Sequence, residues 1–191
     1  MSVPINNTEL ASTSLRPSWA GHVSMFETTS GICFTVRPIR PEDEPLLADF
    51  HRRLSDESVY LRYFAPMKLE TRVAHERLLR RCMVDGHEQF ALVAEHKDEA
   101  GVLHIAGVAR LDRISGRDSA ELAFVVADQY QHRGLGGYLL QRMIEIAREQ
   151  TLQQLEAEVL ADNYPMKDLF RRAGFSLSVP QSGVSTARLV L

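Results

Sequence analysis

Residues 131–137 have the composition of an anion-binding loop, because the segment QHRGLGG places three glycines between two apolar segments. Upstream, residues 122–126 form an apolar run that predicts a buried strand. Downstream, apolar residues recur at the spacing of an amphipathic helix: Leu135, Leu139, Leu140, Met143, Ile144 and Ala147. The glycines therefore lie at the start of a helix, where unpaired backbone N–H groups and the helix dipole can bind phosphate. Glycine also permits positive φ angles and leaves room for the phosphates of a ligand.

Several interpretations of this segment, named here the glycine loop, remain to be compared. A glycine-rich turn between a strand and a helix is often a tight turn with no ligand. A dinucleotide-binding loop and a P-loop are excluded, because the segment lacks both G-x-G-x-x-G and a Lys-Ser/Thr pair. The loop resembles the Q/R-x-x-G-x-G/A signature of the GNAT superfamily of N-acetyltransferases, which Gln131, Gly134 and Gly136 match. In that superfamily the loop binds the pyrophosphate of acyl-coenzyme A.

The resemblance covers residues 32–191 and implies acetyl-CoA as the co-substrate. Residues 163–166 and 173–175 are similar to a second signature of the superfamily. The residues that the resemblance implies for coenzyme binding are Phe124, Val125, Val126, Gln131, His132, Arg133, Gly134, Leu135, Gly136, Gly137, Asn163 and Met166. For residues 124–126 the implied contact is made by the backbone, as a short extension of the sheet. Asn163 can also be a simple helix cap, and Arg133 an exposed loop side chain.

Glu121 is the candidate general base, because it interrupts the apolar strand ten residues before Gln131. A lysine-like ammonium with a pKa near 10.4 becomes nucleophilic only after it loses a proton, so amine acetylation needs a base. In related GNAT enzymes a glutamate near this place accepts that proton. An apolar surrounding would raise the pKa of Glu121 and make it a better base. The alternative is a structural carboxylate paired with Arg110 or Arg113 on the neighbouring strand.

The general acid is where the sequence departs from the superfamily. The usual tyrosine maps onto Phe170, which has no proton to donate. Tyr164, Tyr138 or solvent would have to protonate the leaving thiolate. A thiolate with a solution pKa near 8.5 can also leave without obligatory protonation.

Residues 36–43 and 54–64 resemble a narrower group, the acetyltransferase domain of bacterial protein-lysine acetyltransferases. In that group the second segment lies over the acceptor site, which implies substrate contacts for Tyr60, Arg62 and Tyr63. Aromatic residues at this helical spacing are more often part of a core. Such domains are often fused to an acyl-CoA-synthetase-like or nucleotide-sensing domain, for which a chain of 191 residues has no room.

The elements that must position these residues follow from periodicity and capping signals. Residues 22–27 and 32–37 predict a hairpin, and Pro41 and Ser55 mark the starts of two helices. A third helix over residues 70–83 would direct Arg72, Arg77, Arg80 and Arg81 to solvent. Strands follow at 89–96, 102–114 and 120–127, then the helix after the glycine loop, a strand at 155–160, a helix capped by Asn163 and a closing hairpin.

This order predicts an α/β protein with the GNAT fold, a mixed and mostly antiparallel twisted sheet, flanked by helices and splayed at its two central strands. Residues 1–30 are expected to form an N-terminal arm that can enter the first hairpin. Residues 31–191 are expected to form the acyl-CoA-dependent domain.

Composition excludes several other classes of function. The net charge of −3 favours neither nucleic acid nor membrane as a partner, and no signal peptide or transmembrane run is visible. Two cysteines without His/Cys clustering predict no disulfide framework and no metal site, and favour the cytoplasm. The oligomeric state stays open.

These residues together predict an enzyme that transfers an acetyl group from acetyl-CoA to a primary amine. The similarity to protein-lysine acetyltransferases favours a lysine on a protein as the acceptor. The alternatives are a small-molecule amine acetyltransferase and a module that binds acyl-CoA without turnover.

Overall fold

Eight strands and six α-helices form the part of the protein that the computed structural model describes, residues 19–191. The strands are β1 (Ser24–Glu27), β2 (Cys33–Pro38), β3 (Gln89–Lys97), β4 (Leu103–Arg113), β5 (Ser119–Val126), β6 (Gln154–Leu160), β7 (Ser176–Leu177) and β8 (Val184–Val190). The α-helices are α1 (Glu44–Arg53), α2 (Asp56–Tyr63), α3 (Leu69–Arg72), α4 (His75–Cys82), α5 (Leu135–Glu149) and α6 (Tyr164–Arg172). Short 3-10 helices span Trp19–His22, Pro41–Asp43 and Asp128–Tyr130.

The strands form one sheet in the order β1-β2-β3-β4-β5-β6-β8-β7. Every neighbouring pair is antiparallel except β5 and β6, which are parallel. This confirms the mixed, mostly antiparallel sheet that the sequence predicts. β1 and β2 form the hairpin expected near residue 30, whereas the part of the expected N-terminal arm within residues 1–18 lies outside the described residues.

The two central strands separate after a short parallel ladder. β5 pairs with β6 only from Ser119 to Glu121, opposite residues 154–156. Beyond that point β5 pairs with β4 alone, and β6 pairs with β8 alone. The facing edges of residues 122–126 and 157–160 are therefore free of ladder hydrogen bonds to each other, and this confirms the predicted splay.

Helices cover the sheet on both faces. Side chains on β4 and β5 alternate between faces. On one face α5 packs against these strands with a fully buried row that includes Leu139 and Met143. A β-carbon at Gly107 would be 3.0 Å from Leu139 Cδ1, so glycine permits the close approach of α5 to β4. On the other face α1, α2 and α4 cover Val108 and Val125.

The structure confirms that Ser55 and Asn163 are helix-capping residues. Ser55 accepts a hydrogen bond from the Ser58 amide at 3.1 Å at the start of α2, and Asn163 accepts one from the Met166 amide at 3.2 Å at the start of α6. Such caps satisfy N–H groups that have no intrahelical partner.

The prediction of a single helix over residues 70–83 is wrong, because the helix is interrupted between α3 and α4 at Ala74, whose ψ angle is 123°. The expected solvated arginine face is also wrong for Arg72, which is 6% exposed and donates to the Leu54 carbonyl oxygen at 3.4 Å. Arg77 is half-buried, whereas Arg80 and Arg81 are exposed. Apolar spacing continues across the break, so periodicity alone could not reveal it. No helix within residues 19–191 is long and apolar enough to cross a bilayer.

Candidate active site

The glycine loop leads from the 3-10 helix at Asp128–Tyr130 into the N-terminus of α5. Its backbone has positive φ angles at His132 (58°) and at Gly134 (88°), and Gly134 is the N-cap of the helix. Within residues 19–191, none of the backbone N–H groups of residues 132–137 donates a hydrogen bond to another protein group. These successive free donors lie at the positive end of a 15-residue helix. This arrangement is suited to bind a pyrophosphate.

The loop glycines serve packing as well as ligand access. At Gly134 the positive φ angle favours glycine, and a β-carbon there would be 3.3 Å from Phe26 Cζ. A β-carbon at Gly136 would be 3.7 Å from Phe124 Cε2, and one at Gly137 would be 3.6 Å from Leu169 Cδ1. Packing therefore favours glycine at Gly134, whereas a β-carbon at Gly136 or Gly137 would make only ordinary van der Waals contacts with these side chains.

The side chains of the loop point in different directions. His132 and Arg133 are exposed, and the Arg133 Nε–H donates to the Gln129 carbonyl oxygen at 3.2 Å. Leu135 is fully buried, so it can offer a ligand only its backbone. The Gln131 amide turns inward and donates to Ser58 Oγ at 2.9 Å and to the Val126 carbonyl oxygen at 3.0 Å.

Gln131 belongs to a hydrogen-bond network that joins the loop to α2, named here the loop–α2 network. Ser58 Oγ donates to Asp128 Oδ1 at 2.8 Å, and the Ser55 hydroxyl donates to the same oxygen at 2.5 Å. The Ser55 amide donates to Asp128 Oδ2 at 3.0 Å. Burial alone would raise the pKa of Asp128, but these hydrogen bonds lower it below its usual value. The ionised carboxylate therefore fixes α2 against the loop.

A pocket of about 230 Å³ opens at the splay between β5 and β6. Its lining includes the candidate base, residues of the second signature and part of α2: Arg62, Tyr63, Glu121, Phe124, Glu158, Asn163, Met166 and Phe170. The structure therefore brings together Glu121, Phe124, Asn163 and Met166, which the sequence predicts to share a site. Glu158 is a pocket residue that sequence reasoning missed, although its alternation with apolar residues in β6 indicates an outward side chain.

Glu121 is the last residue of β5 that pairs with β6, and its side chain is exposed. The carboxylate is therefore not enclosed by apolar groups. The alternative role, a structural carboxylate paired with an arginine of the neighbouring strand, is not observed either. Within residues 19–191 Glu121 makes no ion pair with Arg110 or Arg113. Arg110 donates instead to the Arg81 carbonyl oxygen, and Arg113 to the carbonyl oxygens of residues 87 and 150. The Glu121 carboxylate therefore makes no ion pair with either arginine of the neighbouring strand.

Two of the three residues expected near the acceptor lie at this pocket. The Arg62 guanidinium carbon is 5.0 Å from the centroid of the Tyr63 ring, and both side chains line the pocket. Burial lowers the pKa of Arg62, while the charges of Glu121 and Asp112 act to raise it. Tyr60 is 43% exposed and does not line this pocket.

The tyrosines considered as general acids lie elsewhere. The Tyr138 hydroxyl donates to the Met25 carbonyl oxygen at 3.3 Å, and Tyr164 is 70% exposed beside Lys167. Phe170 is 2% exposed, and its ring is 6.1 Å from the Phe124 ring in an edge-on arrangement. Phe170 therefore packs the inner wall of the pocket and has no proton to donate.

A family model described as an acetyltransferase (GNAT) domain matches residues 34–176. The chain therefore belongs to the GNAT acetyltransferase family. It is 30% identical over 141 residues to an acetyltransferase of Pseudomonas aeruginosa, with 73% of each chain covered. It is also 31% identical over 150 residues to the acetyltransferase Pat of Mycolicibacterium smegmatis, covering 78% of this chain and 43% of Pat, so it spans less than half of that protein.

Among solved structures, the chain is similar to the GNAT domain of PAT from S. lividans. The two share 30% sequence identity with a TM-score of 0.79, and the match covers 90% of this chain and 98% of that domain. This likeness confirms the predicted fold. Family membership makes the protein an acyl-CoA-dependent N-acyltransferase that uses acetyl-CoA. The free amides of the glycine loop and the splay fit that co-substrate. Within residues 19–191 no group of three or more His, Cys, Asp or Glu side chains is placed to hold a metal ion.

Proposed function

We propose that this enzyme acetylates a primary amine, with a lysine side chain of a protein as its preferred acceptor and Glu121 as the general base. The observation that carries the proposal is the place of Glu121. Its exposed carboxylate ends the β5–β6 ladder at the point where the two strands separate, inside the pocket and without an ion pair among the described residues. A base at that point can reach an amine that enters beside α2.

The chain offers two surfaces to acetyl-CoA, which supplies the acyl group as a reactive thioester. The amides of residues 132–137 bind the pyrophosphate at the start of α5. The free edge of β5, from Phe124 to Val126, pairs with the pantetheine arm, and Asn163 and Met166 lie beside it in the pocket. Phe124 and Phe170 close the inner wall with apolar rings.

Glu121 accepts a proton from the acceptor ammonium, directly or through water, because its side chain is open to solvent. The neutral amine then forms the new carbon–nitrogen bond as the carbon–sulfur bond breaks, and the nitrogen releases its second proton to solvent to give the amide. Solvent can protonate the departing thiolate, since Phe170 has no proton and neither Tyr138 nor Tyr164 lines the pocket.

The preference for a protein acceptor is supported by the resemblance of residues 36–43 and 54–64 to bacterial protein-lysine acetyltransferases. The positive charge of Arg62 beside the pocket also disfavours a polycationic acceptor. We place the reaction in the cytoplasm, where thiols such as Cys33 and Cys82 stay reduced.

The experiment that tests this function is mass spectrometry of a host proteome incubated with the protein and acetyl-CoA. Glu121→Gln is the test variant, and Glu158→Gln is the matched control, because it removes another carboxylate of the same pocket. We expect site-specific acetyl-lysines that need Glu121 and persist with Glu158→Gln. An unchanged proteome, together with turnover of a small amine in a parallel panel, would replace the protein acceptor with a small molecule. Equal activity of Glu121→Gln and the wild type would remove the base.

A further inference from the structure

A second, smaller cavity of about 30 Å³ lies beside the active-site pocket, where α1, α2 and α4 cover β4 and β5. Four arginine side chains and one histidine line it: Arg62, Arg77, Arg81, Arg110 and His51. These residues come from four different elements, so their convergence arises from the fold and not from one charged segment. We name this cavity the arginine pocket.

The positive charge of the arginine pocket is poorly neutralised. Within residues 19–191, Arg62, Arg77 and Arg81 have no carboxylate oxygen within 4.0 Å, and the nearest one to Arg110 is that of Asp112, at 3.9 Å. The arginines contact neutral groups instead. Arg110 donates to the Arg81 carbonyl oxygen at 2.6 Å, and the guanidinium groups of Arg62 and Arg77 lie 5.0 and 5.2 Å from the Tyr63 ring centroid.

Two buried side-chain nitrogen atoms of the pocket have no hydrogen-bond partner among the described residues. Arg110 Nε and His51 Nδ1 make no hydrogen bond within the described chain. Solvent does not replace a protein partner, because the Arg110 side chain is only 6% exposed and His51 only 4% exposed. A buried donor without a partner destabilises a protein, and so does a cluster of like charges. Burial, and then the charge of Arg77, lower the pKa of His51 to about 4. An anion in the cavity would accept a hydrogen bond from Arg110 Nε–H, would accept one from His51 in the tautomer with a proton on Nδ1, and would offset the repulsion.

The arginine pocket lies on the acceptor side of the active site. Both cavities share Arg62, Tyr63 and Ala123. Arg110 lies opposite Ala123 in the β4–β5 register, and Ala123 follows Glu121 by two residues on the same face of β5. The backbone of Arg110 is therefore displaced from that of the proposed base by roughly 7 Å along the strands and by one strand across the sheet.

We propose that the arginine pocket binds a carboxylate of the acceptor, so that the enzyme prefers an amine with an acidic group close by. This inference rests on the proposed function, since it gives the acceptor a chemical class. The small cavity admits one terminal group and excludes a whole substrate. The planar guanidinium fork matches a carboxylate, which it can bind with two parallel hydrogen bonds. The carboxylate can belong to an acidic residue near the acceptor lysine or to an amino acid that is itself the acceptor.

The first experiment measures anion binding without any acetyl transfer. The protein is saturated with coenzyme A, so that the glycine loop is occupied, and is titrated with acetate, succinate or inorganic phosphate. Nuclear magnetic resonance follows the His51 ring and the Arg110 Nε–H signal. Arg77→Gln and Arg81→Gln are the test variants. Arg80→Gln is the control, because Arg80 lies on the same helix and is exposed, but does not line the pocket.

We expect a carboxylate to shift the His51 and Arg110 signals in the wild type and in Arg80→Gln. Loss of one charge-assisted contact should weaken binding about tenfold in each test variant. Unchanged signals at high carboxylate concentration would overturn the proposal, as would equal binding by all variants. Tighter binding of phosphate than of carboxylate would overturn the assignment of the anion. Circular dichroism checks that each variant is folded.

The second experiment identifies the source of the carboxylate. Lysine peptides with Glu or Gln beside the acceptor are compared, and amino acids are compared with their carboxamides. For one of the two pairs, we expect kcat/KM to be about tenfold higher for the acidic member. This preference should disappear in Arg77→Gln and remain in Arg80→Gln. No preference in either pair would overturn the link to the acceptor. If no amine is acetylated at all, the proposed function fails, while the titration still decides whether the pocket binds an anion.

Discussion

His51 should make the stability of this protein depend on pH in a way that one substitution removes. Its ring is 4% exposed, lies among the arginines and has an unpartnered Nδ1. Burial and the nearby charges of Arg77, Arg72, Arg62 and Arg81 lower the pKa of His51 from 6.5 to about 4. The unfolded chain therefore binds a proton at a pH where the folded protein does not. The stabilising effect of neutral His51 is complete above about pH 6.5, and it is lost as the pH falls toward 4.

The magnitude follows from the two pKa values. A tenfold change in proton affinity corresponds to about 1.4 kcal/mol. The fall from 6.5 to about 4 therefore corresponds to about 3 kcal/mol. About 2 kcal/mol of this stabilisation should be lost between about pH 8 and about pH 5, because at the lower pH His51 of the unfolded chain is already protonated. Carboxylates whose pKa is lowered, such as Asp128, also lose stabilising interactions on acidification, so the effect of His51 must be read as a difference between variants.

The assay is urea unfolding of the wild type, His51→Phe and His87→Gln across this pH range. Phenylalanine keeps an aromatic ring against Phe50, whose centroid is 5.6 Å from that of His51, and it has no proton to gain. The control residue His87 is exposed. We expect the wild type and His87→Gln to lose about 2 kcal/mol more than His51→Phe on acidification. Parallel pH profiles for all three proteins would refute the burial and charge argument for His51.

The remaining predictions concern the active site. Glu121→Gln should lower kcat by about 10²- to 10⁴-fold and leave the affinity for coenzyme A, measured by calorimetry, nearly unchanged. A loss of coenzyme affinity as large as the loss of rate would mean that Glu121 is not a separate base. Gly134→Val should weaken coenzyme A binding, because φ is 88° and Phe26 is 3.3 Å from the new β-carbon; Gly116→Val is the control, since its φ is 73° with open space around it. Equal coenzyme affinity in these two variants would contradict the role of the loop. Ser58→Ala removes the hydroxyl between Gln131 and Asp128 and should cost about 1 to 2 kcal/mol in the free energy of unfolding. It should also weaken coenzyme A binding, and unaltered affinity would show that the loop does not depend on that hydroxyl.

Local patterns predicted the elements that carry the proposed coenzyme site. Ser55 and Asn163 are capping residues followed by helical periodicity, so the starts of α2 and α6 could be located. The apolar strand, glycine loop and amphipathic helix are contiguous in the chain, so no tertiary information was needed to place them together. The splay was inferred from resemblance, because the parallel ladder of three pairs at Glu121 depends on register between distant strands.

Features that depend on convergence of distant residues could not be predicted. The arginines of α3 and α4 fit a solvated face by spacing, yet with the break at Ala74 Arg72 of α3 is buried and Arg77 of α4 is half-buried. Arg110 lies in a strand where alternation indicates only which face it occupies. That this face meets α4 and α2, and that His51 lies among the same cations, follows from the packing of three helices on the sheet. The exposure of Glu121 has the same origin, since the surrounding sequence is apolar.

One short helix connects the two halves of the proposed reaction. In α2, Ser58 bonds Gln131 of the glycine loop, while Arg62, four residues later, lines both the active-site pocket and the arginine pocket. Residues four apart lie on the same side of a helix, about one turn from each other. The glycine loop and the proposed acceptor side therefore both contact α2. Loss of the Ser58 hydroxyl should then change both coenzyme affinity and the KM for the acceptor, whereas Glu121→Gln should change neither binding step. That difference separates a positioning residue from a catalytic one.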